Sequence, residues 1–206
     1  MPTVDVFALS TRVRLVKRTF DVSFALLGLM LTSWLIVVAW IASAVEIGWG
    51  LYRQERVGLQ GRIFTIYKIR TMRESSNGST TVTIARDPRI TRVGRALRRA
   101  KLDELPQLVN VLLGDMSFVG PRPDVPGFAD RLEGADRLIL AVRPGITGPA
   151  TLRFRDEEEL LAQQPDPERF NREVLYPEKV RLNLEYIRNY RFRDDLLYIW
   201  RTIFGS

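Results

Sequence analysis

The chain contains no cysteine and no histidine among its 206 residues. These two absences exclude disulfides, zinc sites built from Cys or His, haem held by either residue, and Ser-His-Asp or Cys-His catalysis. Any catalytic chemistry must come from Asp, Glu, Lys, Tyr, Ser or Thr, or from a metal held by oxygen atoms. The 31 Lys and Arg residues outnumber the 24 Asp and Glu residues, which gives a formal charge of +7. The length suits one domain, or one domain with an appendage.

Charged residues are also missing from one long stretch, which runs from Val22 to Val45 between Asp21 and Glu46. About 20 apolar residues are enough to cross the hydrocarbon core of a bilayer, so this stretch predicts a membrane-embedded helix. Two alternatives stay open. The small residues at 42–44 resemble the cleavage site of a signal peptide, and a buried core helix has a similar composition. The uncharged run exceeds the usual apolar region of a signal peptide, which favours the membrane helix.

Basic residues flank the apolar stretch on both sides. Because the positive-inside rule places basic flanks in the cytoplasm, a straight span leaves one flank on the wrong side. A re-entrant helix, which enters and leaves by the same face, satisfies both flanks, and a plain span is the alternative. Gly28, Thr32 and Ser33 offer a place to bend, since Ser and Thr hydroxyls bond back to a carbonyl one turn earlier. The flanking cations are Arg12, Arg14, Lys17 and Arg18 before the stretch, and Arg53, Arg56, Arg62, Lys68 and Arg70 after it.

Residues 51–72 have the pattern of a β-hairpin. Gly58 and Gly61 frame the turn, and the second limb is rich in β-branched and aromatic residues. In a strand, Lys68 and Arg70 lie on the same face. Two basic side chains on one face are commonly just solvated, so they indicate an anion site only where a second anion-binding element meets them. The polar, turn-rich residues 73–81 predict a loop.

The segment from residue 86 to residue 101 holds seven basic residues and one acid. Arg92, Arg95 and Arg99 recur at helical spacing, with Arg98 beside them. A basic helix of this kind is consistent with a solvated surface. It is also consistent with binding to nucleic-acid phosphates or to anionic lipid.

Two carboxylates, Asp103 and Glu104, follow the basic segment directly. Proline is tolerated in the first turn of a helix, so Pro106 predicts a new helix that begins near Asp103 and ends at Gly114. An Asp cap beside a solvated basic helix explains this pattern without any function. Phosphoryl transfer explains it too, because cations clamp phosphate, carboxylates hold Mg²⁺, and an Asp carboxylate can attack phosphorus.

Two stiff loops follow, each with an Arg-Pro pair. Residues 114–127 contain three Gly and three Pro around Arg122, and residues 142–150 contain Arg143. A rigid loop holds a guanidinium in place for bidentate contact with phosphate. Ordinary turn chemistry is the alternative for each loop.

With these segments in view, the chain resembles the bacterial sugar transferase family of polyprenyl-phosphate hexose-1-phosphate transferases, the small kind with one re-entrant helix. The resemblance covers most of residues 17–150, and its most specific part is the combination LDELPQL and GDMSFVGPRP. The matching strings are KRTFD at 17–21, QERVGLQGRIFTIYKIRTM at 54–72, DPRITRVGRALRRAKLDELPQLVNVLLGDMSFVGPRP at 87–123, and RPGITG at 143–148.

The resemblance and the residue patterns together predict an α+β, mostly helical fold. A basic N-terminal segment (1–20) precedes a membrane-embedded, re-entrant helix (21–48) and a small interfacial catalytic domain (49–206) with a β-hairpin and amphipathic helices. The family commonly breaks its membrane helix at Ser-Pro, where this chain has Ser33-Trp34. The chain also departs from the family pattern after residue 148, where the acidic run at 156–159 is typical of a helix first turn.

The resemblance implies that a sugar 1-phosphate moves from a UDP-sugar to a membrane polyprenyl phosphate, with release of UMP, as the first step of surface glycan assembly. By carry-over from the family, Asp103 forms a covalent phosphosugar intermediate, and Glu104, with Asp103, holds Mg²⁺. The phosphate-binding candidates are Lys68, Arg70, Arg98, Arg122 and Arg143.

The expected partners are the UDP-sugar donor, the polyprenyl phosphate acceptor and membrane lipid. Nucleic acid is not expected, and a homodimer is compatible with the sequence. The expected location is the bacterial cytoplasmic membrane, with the catalytic domain on the cytoplasmic face. Two other functions stay open: a membrane-tethered basic protein that binds anionic lipid or nucleic acid, and an inactive scaffold, against which the intact Asp103 and Glu104 argue. The C-terminal aromatic residues suit either the headgroup zone or the domain core; they are Tyr176, Tyr186, Tyr190, Tyr198 and Trp200.

Overall fold

The computed structural model describes residues 10–74, 83–85 and 87–205. Residues 1–9, most of the predicted loop at 73–81, and Arg86 lie outside the described residues. The described chain is mostly helical, with a long apolar helix followed by two small two-stranded sheets, as the sequence predicts. The elements are α1 (Thr11–Ile47), β1 (Leu51–Val57), β2 (Ile63–Ile69), α2 (Arg92–Arg99), α3 (Gln107–Leu113), β3 (Ser117–Val119), β4 (Gly145–Thr147), α4 (Pro149–Arg153), α5 (Glu157–Ala162), α6 (Pro167–Phe170), α7 (Tyr176–Arg188) and α8 (Phe192–Phe204).

Helix α1 is long and apolar enough to cross a membrane, and its most apolar 18-residue window is only 11% buried. A core helix of a water-soluble protein would be mostly buried, so the exposed apolar surface favours a membrane helix. The helix is continuous through the expected bend. The hydroxyl of Thr32 donates to the carbonyl of Gly28 one turn earlier, at 2.7 Å, as the sequence predicts. The re-entrant path and the boundaries at residues 20 and 48 stay predictions.

One face of α1 packs on the rest of the chain through small residues. Ala25 and Ala39 are almost completely buried on this face, and Gly28 lies against Leu108 of α3. Small side chains allow the neighbouring elements to approach α1 closely, while the larger apolar side chains remain on the outer face. Ala25 packs with Ile66, Val111 and Met116, and Ala39 packs with Ile69 and Leu97.

Polar contacts also hold both ends of α1 to the folded domain. Near the start, Asp21 accepts hydrogen bonds from the hydroxyl of Ser117 and the amide of Phe118, both at 3.1 Å. At the other end, Glu46 accepts from the first two amides of α2, both at 3.2 Å. Asp21 and Glu46 lie about 38 Å apart along the helix axis. The same folded domain therefore contacts α1 over a length greater than the thickness of a bilayer core.

The predicted hairpin is confirmed. Strands β1 and β2 pair antiparallel from Leu51↔Ile69 to Val57↔Ile63. A short 3₁₀ turn at Leu59–Gly61 joins them, and Gly61 takes the left-handed conformation that the turn requires, with φ at +80°. The side chain of Asn110, which is fully buried on α3, accepts from the amide of Tyr67 and so fixes β2 against α3.

Helix α3 ends at Gly114, as predicted, but it begins at Gln107 and not near Asp103. Helix α2 is terminated by Lys101, which takes a left-handed conformation with φ at +56°. A 3₁₀ turn, Leu102–Glu104, follows, and Pro106 occupies the N-cap of α3. Because proline has no amide hydrogen, Pro106 begins a new helix and does not continue the preceding turn. The two carboxylates therefore lie in the turn between two helices.

The parallel pair of β3 and β4 brings the two Arg-Pro loops together. The amide of Gly120 donates to Thr147 at 2.9 Å, and the amide of Gly145 donates to Pro121 at 2.8 Å. A Cβ atom on Gly120 or on Gly145 would collide with the backbone of the other loop. Glycine is required at both positions because the two backbones approach so closely.

The C-terminal helices complete the domain. Tyr186 and Ile187 of α7 are buried against a 3₁₀ segment, Gly134–Ala141, and Tyr176, Tyr190 and Tyr198 pack on the same core. Trp200, in contrast, is 57% exposed. Four of the five aromatic residues thus serve the core. The acidic run forms the first turn of α5, as expected.

Candidate active site

Asp103 lies in the 3₁₀ turn between α2 and α3, and its side chain is only 7% exposed. Its Oδ1 atom is buried and has no hydrogen-bond partner among the described residues. A buried carboxylate oxygen is costly when it has no partner. The arrangement therefore leaves one reactive oxygen in place and uncommitted, which is the requirement for a nucleophile or a metal ligand.

The neighbouring carboxylate, Glu104, is anchored through one of its two oxygens. Its Oε1 atom accepts from Arg122 at 2.6 Å and from Lys68 at 3.3 Å. Burial by itself would raise the pKa of Glu104, but the charges of Arg122 and Lys68 outweigh burial and hold that pKa well below its usual range. Glu104 is therefore a carboxylate at any physiological pH.

Lys68 and Arg122 reach Glu104 from two different elements. Lys68 comes from β2, and Arg122 comes from the loop after β3, where a proline stands on each side of it. Burial lowers the pKa of Lys68 to about 8, although the charge of Glu104 opposes this change. The pKa of Arg122 is raised, chiefly by the charge of Glu104. The site thus holds two cations around one carboxylate and retains positive charge for an anionic substrate.

The environment of Asp103 differs from that of Glu104. Burial and the adjacent charge of Glu104 raise the pKa of Asp103, while Lys68 and Arg98 oppose the increase. A carboxylate with a raised pKa is more basic than a solvated one and donates its electrons more readily once it is ionised. Glu104 is therefore an ionised anchor, whereas Asp103 is more basic, and its Oδ1 atom has no hydrogen-bond partner among the described residues.

Arg98 lies at the C-terminal end of α2, near this pair. Its guanidinium forms an ion pair with Glu158 of α5 and contacts the sulfur of Met72. The acidic run at 156–159 therefore has a second role besides starting a helix, because it orients a cation beside Asp103. In the same helix, Glu157 pairs with Lys179 at 2.6 Å.

The structure places two of the predicted phosphate-binding residues elsewhere. The side chain of Arg70 lies just after β2 and pairs with Glu74 at 2.7 Å. Arg143 donates to the carbonyl of Gly114, at the end of α3, also at 2.7 Å. Within the described residues, neither guanidinium contacts Asp103 or Glu104. Their roles in phosphate binding stay predictions that the geometry does not favour, because both guanidinium groups already have partners.

A second charged group near Arg122, which was not identified from the sequence, consists of Asp124, Lys179 and Arg56. Burial raises the pKa of Asp124 to about 6, although the charges of Lys179 and Arg56 oppose the increase. Arg56, from β1, donates to the carbonyl of Pro123 at 3.0 Å and so supports the loop. Asp124 lies within the loop at 114–127, two residues after Arg122, and this position was its sequence signal.

The donor set at Asp103 and Glu104 fits a magnesium ion that is shared with substrate. Mg²⁺ is usually held by one or two carboxylates together with water and substrate phosphates. The described residues contain no group of three or more acidic side chains that could hold a metal alone. The unpartnered oxygen of Asp103 offers one ligand beside Glu104, so substrate phosphates and water would supply the others.

Comparison with known proteins gives consistent matches. The model of the bacterial sugar transferase family matches residues 12–206. A UDP-glucose:undecaprenyl-phosphate glucose-1-phosphate transferase of Escherichia coli is 37% identical over 93% of this chain and 40% of its own length. The transferase of the same name from Caulobacter vibrioides is 38% identical over 91% of this chain and 68% of its own length. Exopolysaccharide production protein ExoY of Sinorhizobium fredii is 33% identical, over 91% of this chain and 83% of its own length. The chain thus spans only about two fifths of the E. coli relative.

Proposed function

The chain belongs to the bacterial sugar transferase family, and from this membership we propose that it transfers a sugar 1-phosphate from a UDP-sugar to undecaprenyl phosphate. The products are undecaprenyl-diphosphate-sugar and UMP, and the reaction begins the assembly of an exopolysaccharide or another surface glycan. The observation that carries the proposal is the buried Oδ1 atom of Asp103, which has no hydrogen-bond partner in the part of the chain that the structure describes, beside the anchored carboxylate of Glu104. The names of the relatives support the substrates.

In the first step, an oxygen of Asp103 attacks the phosphorus that carries the sugar. The bond between this phosphorus and the oxygen bridging to the UMP phosphate breaks, and UMP leaves with the bonding electron pair. The sugar phosphate is then held on Asp103 as an acyl phosphate. Lys68, Arg98 and Arg122 lie around the carboxylate pair and neutralise the charge of the diphosphate.

In the second step, a phosphate oxygen of undecaprenyl phosphate attacks the same phosphorus. The bond to Asp103 breaks, the carboxylate is restored, and the diphosphate product forms. Each step exchanges one P–O bond for another, so no net proton transfer is required when the groups that attack and leave are anions. This explains how a chain without histidine can catalyse the reaction.

A magnesium ion at Asp103 and Glu104 would neutralise part of the diphosphate charge and orient the donor. Glu104 is suited to this role because its low pKa keeps it ionised. Lys68 of β2 and Arg122 of the loop after β3 both hold the Glu104 side chain. This metal-binding carboxylate would therefore already be oriented when the substrate binds.

We infer that α1 embeds the protein in the bacterial inner membrane without placing the domain on both sides of it. The contacts of Asp21 and Glu46 with one folded domain support this topology, and so do the basic residues on both flanks. A catalytic domain held against the cytoplasmic leaflet meets a UDP-sugar from the cytosol and the phosphate of a lipid at the headgroup level.

The proposal is tested by incubating the purified chain with UDP-sugars, undecaprenyl phosphate and Mg²⁺, with UMP release as the measurement. Without acceptor, mass spectrometry should detect a phosphosugar adduct on the peptide that contains Asp103. Asp103→Asn should lose both the adduct and turnover, whereas Asp136→Asn, at an exposed position, should retain both. An adduct on another residue would contradict the assignment of the nucleophile. If no donor releases UMP, the transferase proposal itself fails.

A further inference from the structure

Helix α2 carries a row of arginines that the proposed reaction does not use. Arg92, Arg95 and Arg99 are exposed at positions i, i+3 and i+7, which lie on one side of a helix. Their guanidinium groups have no ion-pair or hydrogen-bond partner among the described residues, and α2 contains no acid. We call these three residues the arginine stripe. Arg98, on another side of the helix, is instead paired with Glu158.

The opposite face of α2 packs directly on the membrane helix. Leu97 is buried together with Ala39 of α1, and Val93 and Ile36 pack against the same cluster. The N-terminus of α2 is joined to Glu46, the first charged residue after the apolar stretch. Helix α2 is therefore fixed beside the C-terminal part of α1, where the uncharged stretch ends at Glu46.

We propose that the arginine stripe binds the headgroups of anionic phospholipids. This inference rests on the membrane location of α1 in the proposed function. An amphipathic helix that packs its apolar face on a membrane helix presents its polar face at the headgroup level. Three cations that have no partner among the described residues complement, at this level, the negative surface of the cytoplasmic leaflet. The stripe adds an electrostatic contact to the apolar anchor and orients the domain on the membrane.

A basic groove extends the stripe next to Glu46. The groove has a volume of about 220 Å³ and is lined by three arginines, Arg73, Arg89 and Arg92, and by Glu46, whose carboxylate accepts from the first two amides of α2. Arg89 is bound to Asp87 by a bidentate ion pair, which fixes one wall, while Arg73 and Arg92 are exposed. Its size and charge suit a phosphate headgroup, so we place the lipid phosphate nearest to α1 here.

The experiment uses the absence of cysteine from the chain. A single cysteine at the exposed Ala96, in the middle of α2, is labelled with a fluorophore. The full chain is reconstituted in vesicles of phosphatidylcholine, or of phosphatidylcholine with an equal amount of phosphatidylglycerol. Both carry the same fraction of lipid with a nitroxide on its headgroup, which quenches a fluorophore at the membrane surface.

We expect stronger quenching in the phosphatidylglycerol vesicles, and we expect added salt to reduce the difference. Arg92→Gln, Arg95→Gln and Arg99→Gln together should abolish the difference, since each arginine near an anionic surface contributes about fivefold to the partition. The control combines Arg172→Gln, Arg181→Gln and Arg188→Gln on exposed positions around α7, which remove the same charge. This control should keep the full difference.

Equal quenching in both vesicle types, or an unchanged difference in the stripe variant, would overturn the inference. It would also be overturned if added single-stranded RNA bound to the protein and reduced the quenching. The last outcome would assign the stripe to nucleic acid. Resistance of the protein to alkaline extraction is measured on the same vesicles. A protein that is extracted contradicts the membrane location of α1, whereas a protein that is retained without headgroup quenching contradicts the arginine stripe alone.

Discussion

Lys17 and Asp195 form a buried ion pair, with 2.5 Å between Nζ and Oδ2, although one lies near the start of α1 and the other lies in α8. Asp195 also accepts hydrogen bonds from the hydroxyls of Tyr186 at 2.6 Å and Tyr190 at 2.9 Å. The carboxylate therefore has three partners and is 1% exposed. This cluster attaches the membrane helix to the last helix of the domain.

Removal of one partner should destabilise the protein strongly. Asp195→Leu leaves the Lys17 ammonium buried without a partner, and we expect a loss of about 3–5 kcal/mol in the free energy of unfolding. The double variant with Lys17→Met removes both charges and should recover much of this loss. Thermal unfolding in detergent micelles measures both variants. Equal destabilisation by the single and double variants would show that the ion pair is not the cause.

Glu104→Gln should reduce UMP release by at least about 100-fold while leaving the fold intact. The amide keeps the shape of the side chain but loses the charge that both Arg122 and Lys68 contact. The Mg²⁺ concentration for half-maximal activity should also rise in this variant. The measurement is a magnesium titration of the residual activity, with Glu133→Gln at an exposed position as the control. An unchanged magnesium requirement would remove Glu104 from the set of metal ligands.

Local signals in the sequence were sufficient for the hairpin and for the end of α3, because Gly61 and Gly114 take the left-handed conformations that end these elements. Lys68 and Arg122, which the family resemblance marks as phosphate-binding residues, both contact Glu104, and their binding of phosphate stays a prediction. The hydrogen-bond partner of Arg143 could not be predicted from the sequence, because this partner is the carbonyl of Gly114 at the end of α3, which is in place only after α3 folds. Arg98 and Glu158 are 60 residues apart, so their pairing has no local signal. Tertiary contacts between distant segments therefore determine the partners of Arg143 and Arg98.

Asp124 should make stability depend on pH. Its pKa of about 6 lies above the value near 3.8 expected in the unfolded chain, so between these values the folded state binds more protons. Its contribution is therefore full below pH 4 and is lost as the pH rises through 6. Asp124→Asn should match the parent at pH 4 and exceed it at pH 7.5 by about 1–3 kcal/mol. Thermal unfolding across this pH range provides the measurement. A variant that is less stable at pH 7.5 would contradict burial as the cause.

Both ends of α1 should face the cytoplasm. Single cysteines at Ser10 and Gln60, which are exposed on either side of the membrane helix, should react with a membrane-impermeant maleimide only in inverted vesicles. A cysteine at Trp34, which is exposed on the apolar face, should stay unlabelled in either vesicle orientation. Labelling of Ser10→Cys and Gln60→Cys from opposite sides would replace the re-entrant path with a plain span.

The pairing of Lys17 with Asp195 also fixes the order in which the protein matures. The two residues are separated by 178 positions, so at ribosomal speed Asp195 is made on the order of 10–30 s after Lys17. The apolar helix therefore reaches the membrane long before its buried ammonium acquires a counterion. During this interval Lys17 lacks its carboxylate partner, and the ion pair that joins α1 to α8 forms only after Asp195 has been made. Translation of the last helix therefore sets the earliest moment at which this ammonium can be buried with its counterion.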